Sequence, residues 1–368
     1  MKPRTTLILV LIAVVTLAGG WYFGVHKAAP VASAVPAGRL AFPGIAPRLA
    51  EAARIELQHQ GKTLVLSRQA DGWGVDEDAG YPAQATKVHD LMAGLAELRL
   101  TEPRTADPAE FVRLGLEDPG KPNADSTLIS VLDSKAKPIV ALLVGHTRMR
   151  GQSEVPDQIF VRRPGENQSW LAEGRLPLES TDALMWLDRD IGSIDHGRIA
   201  AVEAARGSEH IDLAREGDRL VVKSPGEHPK LDEAKLGDVA KALESLTFME
   251  VKPADKMPGR PLGHSTFTTS DGLRLNVAVN QSGNEIWARF TAAGDGAAKA
   301  SAEAMDKKLA KWAFELGGWK EKALVPSMDD LKEPPPPPAA PAPPGAMSLP
   351  VPGASAPAPP ASPAAQPK

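Results

Sequence analysis

The stretch Ile55–Val75, IELQHQGKTLVLSRQADGWGV, alternates apolar and polar residues on both sides of Gly61 and again after Asp71-Gly72. Alternation with period two marks a half-buried strand, and glycine between two such runs marks a turn. The spacing predicts three short antiparallel strands, at Ile55–Leu57, Leu64–Leu66 and Trp73–Val75. The period then changes. Val88, Leu91, Met92, Leu95 and Leu98 recur at helical spacing, so residues 83–99 should form an amphipathic helix. Further runs at Leu128–Leu132, Ile139–Val144, Gln158–Arg163 and Ser169–Ala172 predict two more hairpins. A sheet and a helix of this kind must cover each other's apolar faces, which gives an α+β layer with a mostly antiparallel sheet.

The pattern returns. Val202 stands 147 residues after Ile55, and Ile211, Leu213, Arg215, Asp218, Leu220 and Val222 fall on Leu64, Leu66, Arg68, Asp71, Trp73 and Val75. At 148 residues, Val239, Leu243 and Leu246 fall on Leu91, Leu95 and Leu98. Strands at Leu273–Val279 and Glu285–Phe290 should close the second unit. A helix from about Ala300 to Leu316 should follow, with Met305, Leu309, Trp312 and Leu316 on one face and Gly317-Gly318 after its end. A turn aspartate and a helix stripe kept in step point to a tandem duplication.

Both ends differ from this body. Lys2 and Arg4 precede an uncharged apolar run, Leu7–Val25, about as long as a bilayer requires, with Trp21 and Tyr22 near its outer end. A cleaved signal peptide ending near Ala32-Ser33-Ala34 is the alternative. Fifteen of the 35 residues from Pro334 to Lys368 are proline, which predicts a disordered tail with almost nothing to bury. The expected organisation is therefore residues 1–25, cytoplasmic tip and transmembrane helix; 26–49, Ala/Pro linker; 50–192, first α+β repeat unit; 193–331, second α+β repeat unit with a C-terminal helix; 332–368, disordered Pro/Ala-rich tail. The expected location is the bacterial inner membrane, single-pass, with the bulk periplasmic.

Chemistry is hard to find. A net charge of −4 with both signs interspersed gives no basic surface for nucleic acid. The absence of cysteine excludes disulfides, thiolate nucleophiles and Cys-based zinc sites. The eight histidines show no i, i+2 or i, i+4 pair, and His59 and His210 sit near strand turns. Asp76-Glu77-Asp78-Ala79-Gly80 begins like a calcium loop, but Lys87 stands where the bidentate Glu belongs. Gly294-Asp295-Gly296 with Lys299 lacks phosphate-loop spacing, and Ser134-Lys135-Ala136-Lys137 occupies a hairpin tip. Asp188 and Asp190 flank Arg189 between the units, where an inter-unit salt bridge is expected. Trp73, Trp170, Trp186, Trp287 and Trp312 fall inside predicted elements, and the expected use of at least three is core packing.

Several short motifs resemble DUF4340, a bacterial envelope family defined only as a domain of unknown function. They are the Asp71-Gly72-Trp73 turn preceded by Arg68, the step Leu114-Gly115-Leu116-Glu117-Asp118-Pro119, the strand end Leu143-Val144-Gly145, and Trp312–Leu316 followed by Ala323-Leu324-Val325-Pro326. The second unit carries only Pro261-Leu262-Gly263 in place of the Gly-Leu-acidic step. The resemblance implies an N-terminal membrane helix and repeated α+β units, and some members are similar to auxiliary components of ABC-type export and gliding machinery. It supplies no catalytic residue.

The function expected from all this is a membrane-anchored, non-catalytic scaffold or accessory subunit of an envelope complex. Its partners would be inner-membrane proteins such as an ABC-type permease, with no cofactor, metal or catalytic residue. The alternative is a periplasmic module that binds a small ligand, glycan or lipid, in the cleft between the two units.

Overall fold

The computed structural model describes residues 38–148, 157–178 and 181–334. The first sheet is built from β1 (Arg39–Leu40), β2 (Ala52–His59), β3 (Lys62–Gln69), β4 (Gly72–Val75), β5 (Tyr81–Pro82), β6 (Arg99–Pro103), β7 (Thr127–Asp133), β8 (Pro138–Arg148), β9 (Gln158–Arg162) and β10 (Ser169–Glu173). The second is built from β11 (Ile199–Arg206), β12 (Glu209–Glu216), β13 (Arg219–Ser224), β14 (Glu250–Pro253), β15 (Arg260–Thr269), β16 (Leu273–Ser282), β17 (Glu285–Gly294) and β18 (Trp312–Leu316). The helices are α1 (Ala46–Leu49), α2 (Ala85–Glu97), α3 (Phe111–Leu114), α4 (Glu233–Ala240), α5 (Lys299–Leu309), α6 (Glu321–Leu324) and α7 (Met328–Leu331).

The opening stretch folds as its alternation dictates. Gln60 and Gly61 both take positive φ, the tight turn that suits the twist of a two-residue hairpin, and β2 pairs with β3 from His59↔Lys62 onward. Ile55 then faces Leu66, and Arg68 faces Trp73. In the second sheet Val202 faces Leu213 and Arg215 faces Leu220, so positions 147 apart occupy the same places. The strand orders also correspond. The first sheet runs β1-β6-β10-β9-β8-β7-β2-β3-β4-β5 and the second β13-β12-β11-β15-β16-β17-β18-β14. Without the short β1 and β5, the first order matches the second, reversed, strand for strand. Along β16, buried Leu273, Leu275, Val277 and Val279 alternate with more exposed residues, the pattern of a sheet with one face in the core. Helix α2 buries Val88, Leu91 and Leu95. Helix α4 is shorter than its counterpart, yet Leu243 and Leu246 in the turns after it are buried all the same.

One contiguous core runs through both units. At the joint, Tyr81 is fully buried among rings of the second unit. Its ring centroid lies 5.3 Å from Phe248, 5.0 Å from Trp312 and 6.0 Å from Phe314, edge-on to each. Such edge-to-face pairs add about 0.5–1.5 kcal/mol each beyond the area they bury. The connecting segment is laced to both sides. Asp188 N–H donates to Pro82 O (2.9 Å), Asp188 O accepts the Tyr81 hydroxyl (3.1 Å), and Arg189 Nη2 donates to Phe248 O (2.9 Å).

Several expectations need correction. The anchor expected over Leu7–Val25 lies outside the described residues, and among the described residues no helix is long and apolar enough to cross a membrane. The longest of them, α2, has 13 residues, where a span takes roughly 20. The fold is therefore an α+β pair of sheet-bearing units with no membrane-spanning helix among the described residues. The single-pass inner-membrane location does not stand. Nor do the envelope partner, the ABC-type permease reached through an N-terminal helix, and the scaffold role built on that anchor. The expected Ala/Pro linker is partly folded, with Ala41, Ile45 and Leu49 in the core. At the other end, Lys332 bridges to Leu231 and Glu333 N–H donates to Lys230 O, so ordered pairing continues past Leu331. The expected helix to Leu316 stops at Leu309, and Trp312–Leu316 is a strand. Strands β6, β14 and β15 were not foreseen.

Candidate ligand cavity

Helix α4 opens with Asp232, whose carboxylate accepts the Ala234 N–H (2.9 Å). After Ala240 the chain turns through residues 241–245 and forms one wall of a cavity of about 630 Å³. The facing wall comes from the chain beyond β18. Gly317 and Gly318 lead into a 3-10 turn, Gly318–Lys320, followed by α6 and α7. Helix α7 starts with a capping box, in which Asp330 N–H donates to Ser327 Oγ and Ser327 N–H donates to Asp330 Oδ2 (3.2 Å each).

Two side chains dominate this cavity. Trp319 stands on its wall 75% exposed, while Trp186 and Trp287 are fully buried. Lys320, next in sequence, is 5% exposed. Its Nζ donates to Ala242 O (2.7 Å) and Glu244 O (3.1 Å) and lies 4.6 Å from the centre of the Trp319 ring. Burial pulls the Lys320 pKa below the ordinary lysine value, with nearby Glu244 opposing the shift.

The carboxylates here are engaged. Asp330 receives Arg206 Nη1 from β11 and Lys322 Nζ from α6, both at 3.2 Å. Burial alone would raise the Asp330 carboxyl, but the Ser327 and Lys322 bonds outweigh it and hold the group below the usual aspartate range. Asp329 pairs with Lys332. Glu244 Oε1 meets both the N–H and Nδ1 of His196, at 2.8 and 2.6 Å, and these bonds hold its carboxyl below the glutamate range.

The residues singled out in the sequence are dispersed. His59 Nδ1 contacts Ser126 O (2.9 Å) at the edge of a smaller cavity of about 470 Å³ in the first unit. His210 lies in β12 opposite Ala205. Asp76 Oδ2 accepts Ser67 Oγ (2.9 Å) and Arg54 Nη1 (3.4 Å) instead of facing an open loop. Asp133 Oδ1 accepts the N–H groups of Lys135 and Lys137, which makes the Ser134–Lys137 tip a hydrogen-bonded turn. Asp295 pairs with Arg274, and Lys299 lies 3.9 Å from Glu303. Asp188 Oδ2 does bridge the units, to Lys308 Nζ of α5 at 3.1 Å, and Asp190 Oδ1 accepts Gly192 N–H. Trp73, Trp170 and Trp312 pack half-buried on the core.

Among the described residues, Asp195, His196 and Glu244 place potential metal-ligand atoms within 4.8 Å of one another. Asp195 caps Gly197 N–H, and the other two bond each other, so local hydrogen bonding accounts for the group. The junction expected to hold a cleft packs around the Tyr81 ring. A shallow hollow of about 370 Å³ remains beside it, between Gln84 and Thr247.

The family model described as Domain of unknown function (DUF4340) matches residues 73–262, just over half of the chain. The chain belongs to the DUF4340 family. The DUF4340 match starts at Trp73 in the first sheet and ends at Leu262 in β15 of the second, so it crosses the aromatic joint. It includes the α4 wall of the cavity and stops before Trp319 and Lys320. No curated protein and no solved structure matches the chain. Within this DUF4340 protein, Trp319 and Lys320 are the residues that sequence reading passed over. The available signal was a tryptophan behind Gly317-Gly318, outside every apolar stripe.

Proposed function

We propose that this DUF4340 protein is a small-ligand binding module whose site is the cavity between α4 and the C-terminal helices. Trp319 carries the reading. A large ring left three-quarters in water, on the wall of a hollow, offers a ligand a flat apolar face. The cavity volume of about 630 Å³ lies within the range of small-molecule sites. Binding without catalysis is the reading favoured by the carboxylates, because Asp329 and Asp330 are committed to ion pairs and Glu244 to its hydrogen bonds with His196, and none is poised as an acid–base pair. The test is a titration of the full chain with benzyl alcohol, followed on the Trp319 indole N–H signal in ¹H–¹⁵N NMR spectra. Trp319→Phe assigns that signal. A saturable shift of the Trp319 signal, with the buried tryptophans unmoved, is expected. A Trp319 signal that stays still while other indole signals move would place the site elsewhere.

A further inference from the structure

The two units differ at one strand edge. In the first, β5 pairs along the outer edge of β4, Val75 against Tyr81 and Gly74 against Pro82. Positions 147 later hold Val222 in β13 and His228-Pro229, but His228 and Pro229 belong to no strand and His228 is exposed. Strand β13 ends its sheet, and among the described residues no strand pairs with its outer edge. Such an edge presents backbone N–H and C=O groups to any extended chain. A hollow of about 510 Å³ runs beside it, and residues 218–222 line it one after another. Side chains alternate between the faces of a strand, so an unbroken run marks a hollow at the edge and not on one face. Leu231, Leu236 and Ala240 supply an apolar wall, and the Arg219–Glu233 ion pair joins β13 to α4 at one end.

The chain itself brings an occupant to this edge. After the first unit, Leu187 bridges Ala83 and Asp188 N–H donates to Pro82 O, and the chain enters the second unit, whose rings cover Tyr81. After the second unit the same two contacts recur, Lys332 to Leu231 and Glu333 N–H to Lys230 O. The chain thus passes the wall of the hollow at Leu231 and leaves the described residues after Pro334. Beyond it, Met347, Leu349 and Val351 alternate with Ser348 and Pro350, the only apolar side chains there larger than alanine or proline. In an added strand the backbone of alternate residues faces the partner. Pro350 would therefore turn its missing N–H outward, while Met347, Leu349 and Val351 offer theirs to β13. Met347 stands thirteen positions past Pro334, a reach of up to about 40 Å for a proline-rich segment. Tethering over such a length gives an effective concentration of about a millimolar, so weak docking suffices. We propose that residues 347–351 dock as an added strand on the open edge of β13, with Met347, Leu349 and Val351 against the apolar wall. This is independent of the cavity at Trp319.

The chain has no cysteine, so Ser355→Cys places a single nitroxide label four positions past Val351 in the full chain. The readout is the paramagnetic loss of backbone amide signals in ¹H–¹⁵N NMR spectra. The amides of Val221 and Val222 should lose most of their intensity, and those of β9 in the first unit should keep theirs. Adding Leu349→Asp and Val351→Asp to the labelled chain should restore Val221 and Val222, because a carboxylate is costly to bury against an apolar wall. A labelled chain without ¹⁵N, mixed with ¹⁵N chain carrying no label, should broaden nothing. Broadening of Val221 and Val222 in that mixture would overturn the proposal by assigning the edge to a second copy. No loss at these two amides, or a loss that survives both aspartates, would overturn the docking outright.

Discussion

Gly317 sets the position of Trp319. A methyl group at this glycine would sit 2.5 Å from Trp319 Nε1, so any larger residue must push the ring aside. The backbone of Gly317 is ordinary (φ −59°), so what the glycine supplies here is room. Gly317→Ala should leave the melting temperature nearly unchanged and weaken benzyl alcohol binding severalfold in the same NMR titration. A second residue sets a pH response. Asp78 ends the 3-10 turn after β4, with Oδ2 buried and without a hydrogen-bond partner. Burial first, then the charges of Glu77, Glu250 and Asp182, raise its pKa from 3.8 to about 6. A carboxyl raised on folding favours the native state while protonated. That contribution is complete below pH 3.8 and lost as pH rises to about 6. Asp78→Asn, neutral throughout, should therefore melt above the natural protein at pH 7.5 and lose that advantage at pH 4. A melting difference that does not vary with pH would mean that Asp78 does not titrate in this range.

At the scale of elements, β18 is the instructive case. Met305, Leu309, Trp312 and Leu316 satisfy a helical period, and that local signal holds as far as α5 extends. It leaves Phe314 off the stripe, yet Phe314 is fully buried. Pairing with β17 on one side and β14 on the other gives Phe314 its place against Phe248, Phe290 and Tyr81. Long-range strand pairing overrides local periodicity here, as it often does for short apolar runs. Phe314→Ala should cost about 3–5 kcal/mol, measured as a lower urea midpoint. The hairpins and α2 were legible because their partners are near in sequence. Strands β6 and β14 were not, since each finds its partner only after the chain has returned from another part of the sheet. The cavity was illegible for the same reason. Lys320 meets Ala242 across 78 positions, and no local pattern in Gly317–Lys320 announces that contact.

For the whole molecule, the repeat of 147 residues was readable as a periodicity, whereas the way the two units join was not. Tyr81 stands in a two-residue strand and the rings it meets lie more than 160 positions away. Because those rings merge two sheets into one core, calorimetry should show a single unfolding transition. Tyr81→Phe removes only the bond to Asp188 O and should cost about 1 kcal/mol. Tyr81→Ala should cost about 3–5 kcal/mol and broaden or divide the transition. Two resolved transitions in the natural protein would show that the units unfold separately.

The same joint governs how the molecule can respond to a ligand. Proteins that close like a clamshell need a hinge, a few residues free to absorb a rotation between lobes. Here the crossing segment is pinned by Asp188 to Pro82 and Tyr81, by Arg189 to Phe248 and by the Lys308 ion pair. The cavity is also bounded by one lobe alone, so its occupancy asks for no swing of the other. Small-angle X-ray scattering curves with and without saturating benzyl alcohol should therefore superpose. A reduced radius of gyration in the occupied state would reveal a hinge within the joint.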